Sequence, residues 1–241
     1  MKFSLWKNWY EKILKDFNFL KNDDEISAEI LNDILNETGF LTKEQLLDKI
    51  KSVKNTNSFI VFGAGPSLKK HIQLIKEEYD LNDYILVSSD GATTALLEEN
   101  IIPDIIATDL DGKMEDLLKS NEKGSLMVIH AHGNNSDEII KYTKQFNNIL
   151  GTTQSKPFGN LYNFGGFTDG DRAIFLSVAL NAQKIILAGM DFGKIVTKYS
   201  RPNLSNDTEI ADDIKQKKLD YAEKLTNWIC ENEDVEIIFL K

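Results

Sequence analysis

Cysteine is almost missing from this 241-residue chain and arginine is scarce. A single thiol, Cys230, excludes an internal disulfide, and its place in an apolar helical pattern reads as a packed side chain rather than a nucleophile. The only arginines are Arg172 and Arg201, no long basic run is present, and the formal charge is −10. Nothing here offers a surface to nucleic acid or to an anionic membrane. No stretch approaches the roughly 18 consecutive apolar residues of a membrane span, and the start Met1–Lys7 lacks the apolar core of a signal peptide, so a cytoplasmic protein is expected. Internal repeats and low-complexity tracts are absent too. What remains, 41% apolar and 27% charged residues, suits one main globular domain burying roughly 70–75% of its unfolded surface.

Residues 1–54 read as a small helical subdomain. Trp6, Tyr10, Ile13, Leu14 and Phe17 recur at three- and four-residue spacing, Ile26, Ile30, Leu31, Ile34 and Leu35 mark a second helix, and Thr42-Lys43-Glu44-Gln45 is a capping-box pattern ahead of a third. Trp6 and Trp9, at helical spacing, are read as core. Lys54–Asn57 is the linker to a second unit, 55–241.

There the rhythm changes. Short apolar runs at 59–62, 84–88, 105–107, 126–130, 149–151, 184–188 and 235–240 alternate with helical patterns around 67–79, 92–99, 113–121, 136–146, 170–181 and 208–232. This is the signature of an α/β protein, a three-layer, mostly parallel sheet flanked by helices. In such sheets ligands gather beyond the carboxyl ends of the strands, so the residues following each run carry the chemistry. The polar segment 194–207 is long enough to be a lid.

The run Ile105–Ala107 leads into Thr108-Asp109-Leu110-Asp111-Gly112. An extended backbone would put Asp109 and Asp111 on one side and turn Leu110 into the core. Two ionised carboxylates about 6 Å apart at an effective dielectric of about 20 repel by roughly 3 kcal/mol, a cost that a divalent cation converts into binding. Hard oxygen ligands beside a phosphate substrate suit magnesium. After the first run, Gly63-Ala64-Gly65-Pro66-Ser67 permits close backbone approach and presents free amides, either as a phosphate cradle or as a plain tight turn. It is neither a dinucleotide fingerprint nor a Walker loop. Asp90 follows the second run as a helix cap or a ligand contact. His130 and His132 would face one way in a strand; without a third nitrogen or sulfur ligand, hydrogen bonding to phosphate or ligand fits better than zinc. Gly166-Phe167-Thr168-Asp169-Gly170-Asp171-Arg172 is a second D-x-D turn, at the start of a helix, where the carboxylates serve either as an N-cap or as site residues, with a guanidinium able to fork onto phosphate. Asp191 lies between glycines after the last inner run. Six aspartates converging on one cleft need cations, and a magnesium nucleotide brings them.

In this order, Gly63–Leu68, Pro103–Gly112, His130–Asn135, Gly166–Arg172 and Gly189–Gly193 resemble the archaeal 6-hydroxymethyl-7,8-dihydropterin diphosphokinases over nearly the whole chain. That family is related in fold to thiamin pyrophosphokinase, whose Gly-Asp-x-Asp-Ser loop is similar to Thr108–Gly112. Asn134 stands where a carboxylate is expected after His-Ala-His-Gly. The resemblance implies Mg²⁺-dependent diphosphoryl transfer from ATP to a reduced pterin, with release of AMP, in folate or methanopterin biosynthesis. It implies one or two magnesium ions on Asp109 and Asp111 with Asp169 or Asp171, and Arg172 on phosphate. Gly63, Gly65, Ser67, His130, His132, Asn135 and Thr168 would contact nucleotide or pterin, with Asp90 or Asp191 on the pterin edge. A homo-oligomer is compatible with the helices and loop around the site. The Gly-x-Gly-Pro-Ser-Leu start also resembles sialyltransferase-like and flagellin-glycosylating proteins, so a sugar-nucleotide glycosyltransferase is the alternative, and a non-catalytic nucleotide-binding regulator a third.

Overall fold

The computed structural model describes all residues, Met1–Lys241. Eight strands form one parallel sheet: β1 (Ser58–Phe62), β2 (Ile85–Ser89), β3 (Ile105–Thr108), β4 (Leu126–Ala131), β5 (Ile149–Thr153), β6 (Leu161–Tyr162), β7 (Lys184–Ala188) and β10 (Glu236–Phe239). Their order is β10-β7-β1-β2-β3-β4-β5-β6. The inner strands are buried on both sides because helices cover both faces, and their few polar residues, such as Ser88, Thr108 and Thr152, lie toward the carboxyl ends. All five residues of β2 are buried. The seven apolar runs expected as strands are all strands. The two-residue β6 is too short to leave a pattern in the sequence.

Alternation along each strand divides the core. Phe59, Val61, Ile85 and Val87 point to a layer formed by α1 (Phe3–Phe17), α3 (Lys43–Lys51), α8 (Asp169–Ala179) and α9 (Asp213–Asn232). Ile60, Phe62 and Leu86 meet α4 (Leu68–Glu78) and α5 (Asp90–Glu98) on the opposite face. Ile106, Met127, Ile129 and Ile149 meet α2 (Lys21–Thr38), α6 (Met114–Glu122) and α7 (Ser136–Tyr142). β1 begins after the segment read as a linker, and the helices before it bury their apolar faces in these same cores. Trp6 lies in the core as expected, and its Nε1 donates to the Gln154 carbonyl at 2.8 Å.

Three expectations are corrected. The buried stripe of α2 is Asp24, Ser27, Ala28, Leu31, Ile34 and Leu35, whereas Ile26 is exposed. Cys230 is exposed, because the inward face of α9 runs through Tyr221, Ala222, Leu225 and Ile229, and the next residue turns past its edge. The segment 194–207 is not plain loop. It opens with β8 (Ile195–Thr197), which pairs antiparallel with β9 (Thr208–Ile210).

From β1 the chain steps outward through β2 to β6, then crosses back by α8 to β7 on the other side of β1. The order reverses between β1 and β7, where loops diverge and leave a crevice beyond the carboxyl ends. A cleft of about 960 Å³ lies there, lined by the residues that follow β1, β2, β3, β4, β5 and β7.

Candidate active site

The turn after β3 builds the centre of the cleft by a route other than strand alternation. Leu110 has φ of 70°, so the chain is not extended as expected. The left-handed conformation costs a non-glycine residue about 1–2 kcal/mol. Burial of the leucine, 2% exposed, offsets that, and its amide donates to Thr108 Oγ1 at 2.8 Å. The same Thr108 hydroxyl donates to Asp90 Oδ2, which also accepts from the Gly112 amide at 3.2 Å. Position 112 must be glycine for lack of room: a Cβ there would lie 1.7 Å from Asp90 Oδ1. The turn thus folds down onto the first residue of α5.

The result is a set of four carboxylates, Asp90, Asp109, Asp111 and Asp169, each with an oxygen within 4.8 Å of the others. Asp90 Oδ1 and Asp109 Oδ1 are buried and have no hydrogen-bond partner. Burial and the charge of Asp109 push Asp90 up to about 7. Desolvation, with the charges of Asp109 and Asp90, also raises Asp111, and burial with Asp109 raises Asp169 well above the usual carboxylate range. Burial would raise Asp109 as well, but the His132 Nε2 contact at 2.9 Å and the charges of His132 and Arg172 hold it well below that range. Hard acceptors converging on unpartnered oxygens are a donor set for a small divalent cation.

Of the second D-x-D turn only Asp169 joins this set. Asp171 is fully buried and caps its own helix. Its Oδ2 accepts from the Phe167 amide at 2.7 Å and its Oδ1 from the Thr168 amide at 2.7 Å and the Thr168 hydroxyl. The metal expectation for Asp171 is therefore replaced by a capping box, with Asp90 in its stead. Thr168 still borders the cleft. Arg172 pairs through Nη1 with Asp169 at 3.2 Å and through Nη2 with Gln154 Oε1 at 3.1 Å, so its fork is largely taken by protein.

The two histidine rings stay neighbours, with centroids 6.0 Å apart, but differ in their access to the cleft. His132 borders the cleft, whereas His130 is buried, bonds Thr152 Oγ1 through Nδ1 at 3.0 Å and faces a small internal cavity beside Arg172. Burial and the nearby charges of Arg172 and His132 press His130 well below its ordinary value, keeping it neutral. Asn135 is a clamp rather than a ligand contact. Its Nδ2 donates to the carbonyls of Asp109 at 2.8 Å and His130 at 2.7 Å, and its Oδ1 accepts from the His132 amide. Asn134 borders the cleft.

The Gly63–Ser67 turn is occupied by the protein itself. The Gly63 and Gly65 amides donate to the Ala188 and Gly189 carbonyls. The Ser67 amide and hydroxyl both donate to Asp191 Oδ2, at 3.1 and 2.9 Å. A Cβ on residue 65 would lie 2.1 Å from that carboxylate, so the glycine serves the meeting of two loops. The amides expected to cradle phosphate are spent. The β8–β9 hairpin is tied to the same rim, with Thr197 Oγ1 donating to the Ala64 carbonyl at 2.8 Å and Tyr199 Oη to Glu98.

Among the residues around the cleft that were not singled out from the sequence are Asp24, Gln154, Lys215 and Lys218. Asp24 accepts from Tyr10 Oη at 2.6 Å and from the Gly133 amide at 2.7 Å, joining α1 and α2 to the His132 loop. A signal existed. Asp24 shares its stripe with Ser27, Ala28 and Leu31, and Lys218 shares one with Tyr221, Ala222 and Leu225, each a charge on a buried helical face.

A family model described as "MptE-like: 6-hydroxymethylpterin diphosphokinase MptE-like" matches residues 32–197. The chain is 49% identical over 237 residues to a 6-hydroxymethyl-7,8-dihydropterin pyrophosphokinase of Methanothermobacter thermautotrophicus, covering 98% of this chain and 99% of that one. It is 47% identical over 242 residues to a protein of the same description from Methanocaldococcus jannaschii, covering 98% of each. Among solved structures it is similar to a MAf glycosyltransferase of Magnetospirillum magneticum AMB-1, at 17% identity and a TM-score of 0.48, over 85% of this chain and 39% of that one.

Proposed function

We propose that this chain, which belongs to the MptE-like 6-hydroxymethylpterin diphosphokinase family, transfers diphosphate from ATP to the hydroxymethyl oxygen of 6-hydroxymethyl-7,8-dihydropterin and releases AMP. In that reaction the alcohol oxygen forms a bond to the β-phosphorus, and the bond from that phosphorus to the oxygen bridging to the α-phosphate breaks. Negative charge grows on the departing AMP, so alignment and electrostatic stabilisation are the work required of the protein.

The observation that carries the reading is the four-carboxylate set at the mouth of the crevice, with two buried oxygens left unpartnered. Asp109, Asp111 and Asp169, with Asp90 beneath them, would hold magnesium, which supplies charge neutralisation along the triphosphate. His132 and the Asn135 clamp fix Asp109, and Arg172 orients Asp169. Asp191 spends one oxygen on Ser67, and its other is available to the amino-pyrimidinone edge of the pterin.

The test is to incubate the protein with ATP, magnesium and the reduced hydroxymethylpterin and to quantify nucleotide products. AMP formed in proportion to pterin diphosphate is expected. Release of ADP, or turnover of a sugar nucleotide instead, would overturn the assignment.

A further inference from the structure

We infer that Lys218 and Lys215, on the first turns of α9, are the protein's own hold on the terminal phosphates of the triphosphate. This rests on the diphosphoryl-transfer reading and adds residues to it. Four arginine or lysine side chains reach the cleft: Arg172, Arg201, Lys215 and Lys218. Both arginines already have acidic partners, Arg172 with Asp169 beside Gln154 and Arg201 with Asp212 at 2.6 Å, although the buried Arg172 Nε has none. Neither lysine ammonium forms an ion pair or a hydrogen bond with a protein group, although Lys218 lies on the inward stripe of its helix. Its ammonium is held between aromatic rings, 6.0 Å from the Phe19 centroid and 5.8 Å from that of Phe167. Burial, with Lys215 and Arg172 nearby, lowers Lys218 below its usual range, while Asp109 and Asp111 pull it back, which places the ammonium within the field of the carboxylate set.

A partly buried ammonium beside aromatic rings, with no counter-ion of its own, is stabilised when an anion arrives in the cleft it borders. Residues three apart on a helix share a face, so Lys215 and Lys218 address one ligand together. The amides of Gly63, Gly65 and Ser67 at the start of α4 are already used, because Asp191 occupies the Ser67 donors and the Gly63 and Gly65 amides belong to the β7 side. Phosphate oxygens bound on one flank at the carboxylate set therefore have, on the α9 side of the cleft, two lysine ammoniums with no acidic partner of their own.

The experiment uses the full chain and inorganic tripolyphosphate with magnesium, measured by calorimetry, alongside KM for ATP and for the pterin. Lys218→Met keeps the aliphatic stem between the two rings and removes the charge. Its affinity for magnesium tripolyphosphate is expected to fall about tenfold and that of Lys215→Met about threefold, the loss of one charge-assisted contact each. KM for ATP should rise while KM for the pterin and the unfolding temperature stay unchanged. Binding by Lys218→Met within twofold of the parent, or no binding by the parent, overturns the inference. A fall in thermal stability with unaltered tripolyphosphate binding does so too, since that is what mere packing predicts. If Lys218→Met does not fold, Lys218→Gln and Lys215→Met carry the same comparison. Should the lysines rank as expected while no AMP forms from ATP and the pterin, the diphosphokinase reading fails and the lysine site stands. AMP formation with unaltered binding by the variants sinks the lysines alone.

Discussion

Two acidic turns of identical D-x-D spacing end in opposite circumstances. Asp109 and Asp111 flank a left-handed Leu110 and both reach the cleft, one of them with an oxygen that nothing in the protein satisfies. Asp169 and Asp171 occupy the first turn of α8, where successive residues rotate by about 100°, so positions two apart point nearly opposite ways. One carboxylate faces the metal-competent set and the other faces inward to cap the helix. Spacing of two brings acids together only on a backbone that turns their carboxylates the same way, and the element decides that.

The largest effect that tests this contrast is Asp109→Asn. We expect turnover to fall at least about a thousandfold, roughly 4 kcal/mol of transition-state stabilisation, with circular dichroism unchanged. Asp111→Asn should behave alike, and near-normal AMP production by either variant would erase the distinction between the two turns.

Next in size, Asp171→Ala should cost about 3 kcal/mol of folding stability, because the buried Phe167 and Thr168 amides lose their charged acceptor. For a chain of this length that lowers the unfolding temperature by roughly 6–12 °C. A full loss of activity at unchanged stability would make Asp171 a site residue after all.

Gly112→Ala sharpens the account of the first turn. The added methyl collides with Asp90 Oδ1, so the turn must lift and the carboxylate set spread. About a hundredfold loss in kcat is expected, close to 2.7 kcal/mol, with a weaker effect on stability. Unchanged kinetics would mean that the Asp90 contact has no part in the site.

The smallest effect is a pH dependence. Asp90, raised to about 7, and Asp111 and Asp169, both raised, bind more protons in the folded protein than in the unfolded chain. Without metal their contribution to stability is present below the unfolded carboxylate range and is lost as pH rises through their folded values. Magnesium competes with those protons. The rise in unfolding temperature on adding magnesium should therefore grow between about pH 6 and about pH 8. Asp171→Ala should leave that growth intact, and Asp111→Asn should flatten it. An equal magnesium shift at both ends of the range would argue against the cluster as the cation site.

Much of the architecture was legible in the order of residues. Seven apolar runs became strands, because burial on both faces of a parallel sheet favours apolar sequence, and the helical patterns between them became helices, except that the one read from residue 208 starts at Asp213, after β9. The loops that border the cleft were legible too, since the fold class places ligands beyond strand ends. The β8–β9 hairpin was hidden, as its strands are three residues each and lie in a polar stretch. Asp24 and Lys218 were passed over for a different reason. Each is a charged residue within a good amphipathic helix, and a solvated charge has the same appearance until the helix is rotated against its neighbours.

By itself the sequence determined the layers, the strand ends and which acids lie near one another along the chain, for these follow from periodicity and connectivity. Only the tertiary structure decided which polar groups are left without partners. It turned Asp171, Asn135 and the Gly63–Ser67 amides inward to satisfy the protein, and left Asp90, Asp109 and Lys218 unsatisfied at the crevice. The physical reason is that a hydrogen bond or an ion pair is a property of three-dimensional neighbours: Thr108 is 18 residues from Asp90 and Ser67 is 124 from Asp191, whereas the Asp171 cap, three and four residues from its donors, is the local exception.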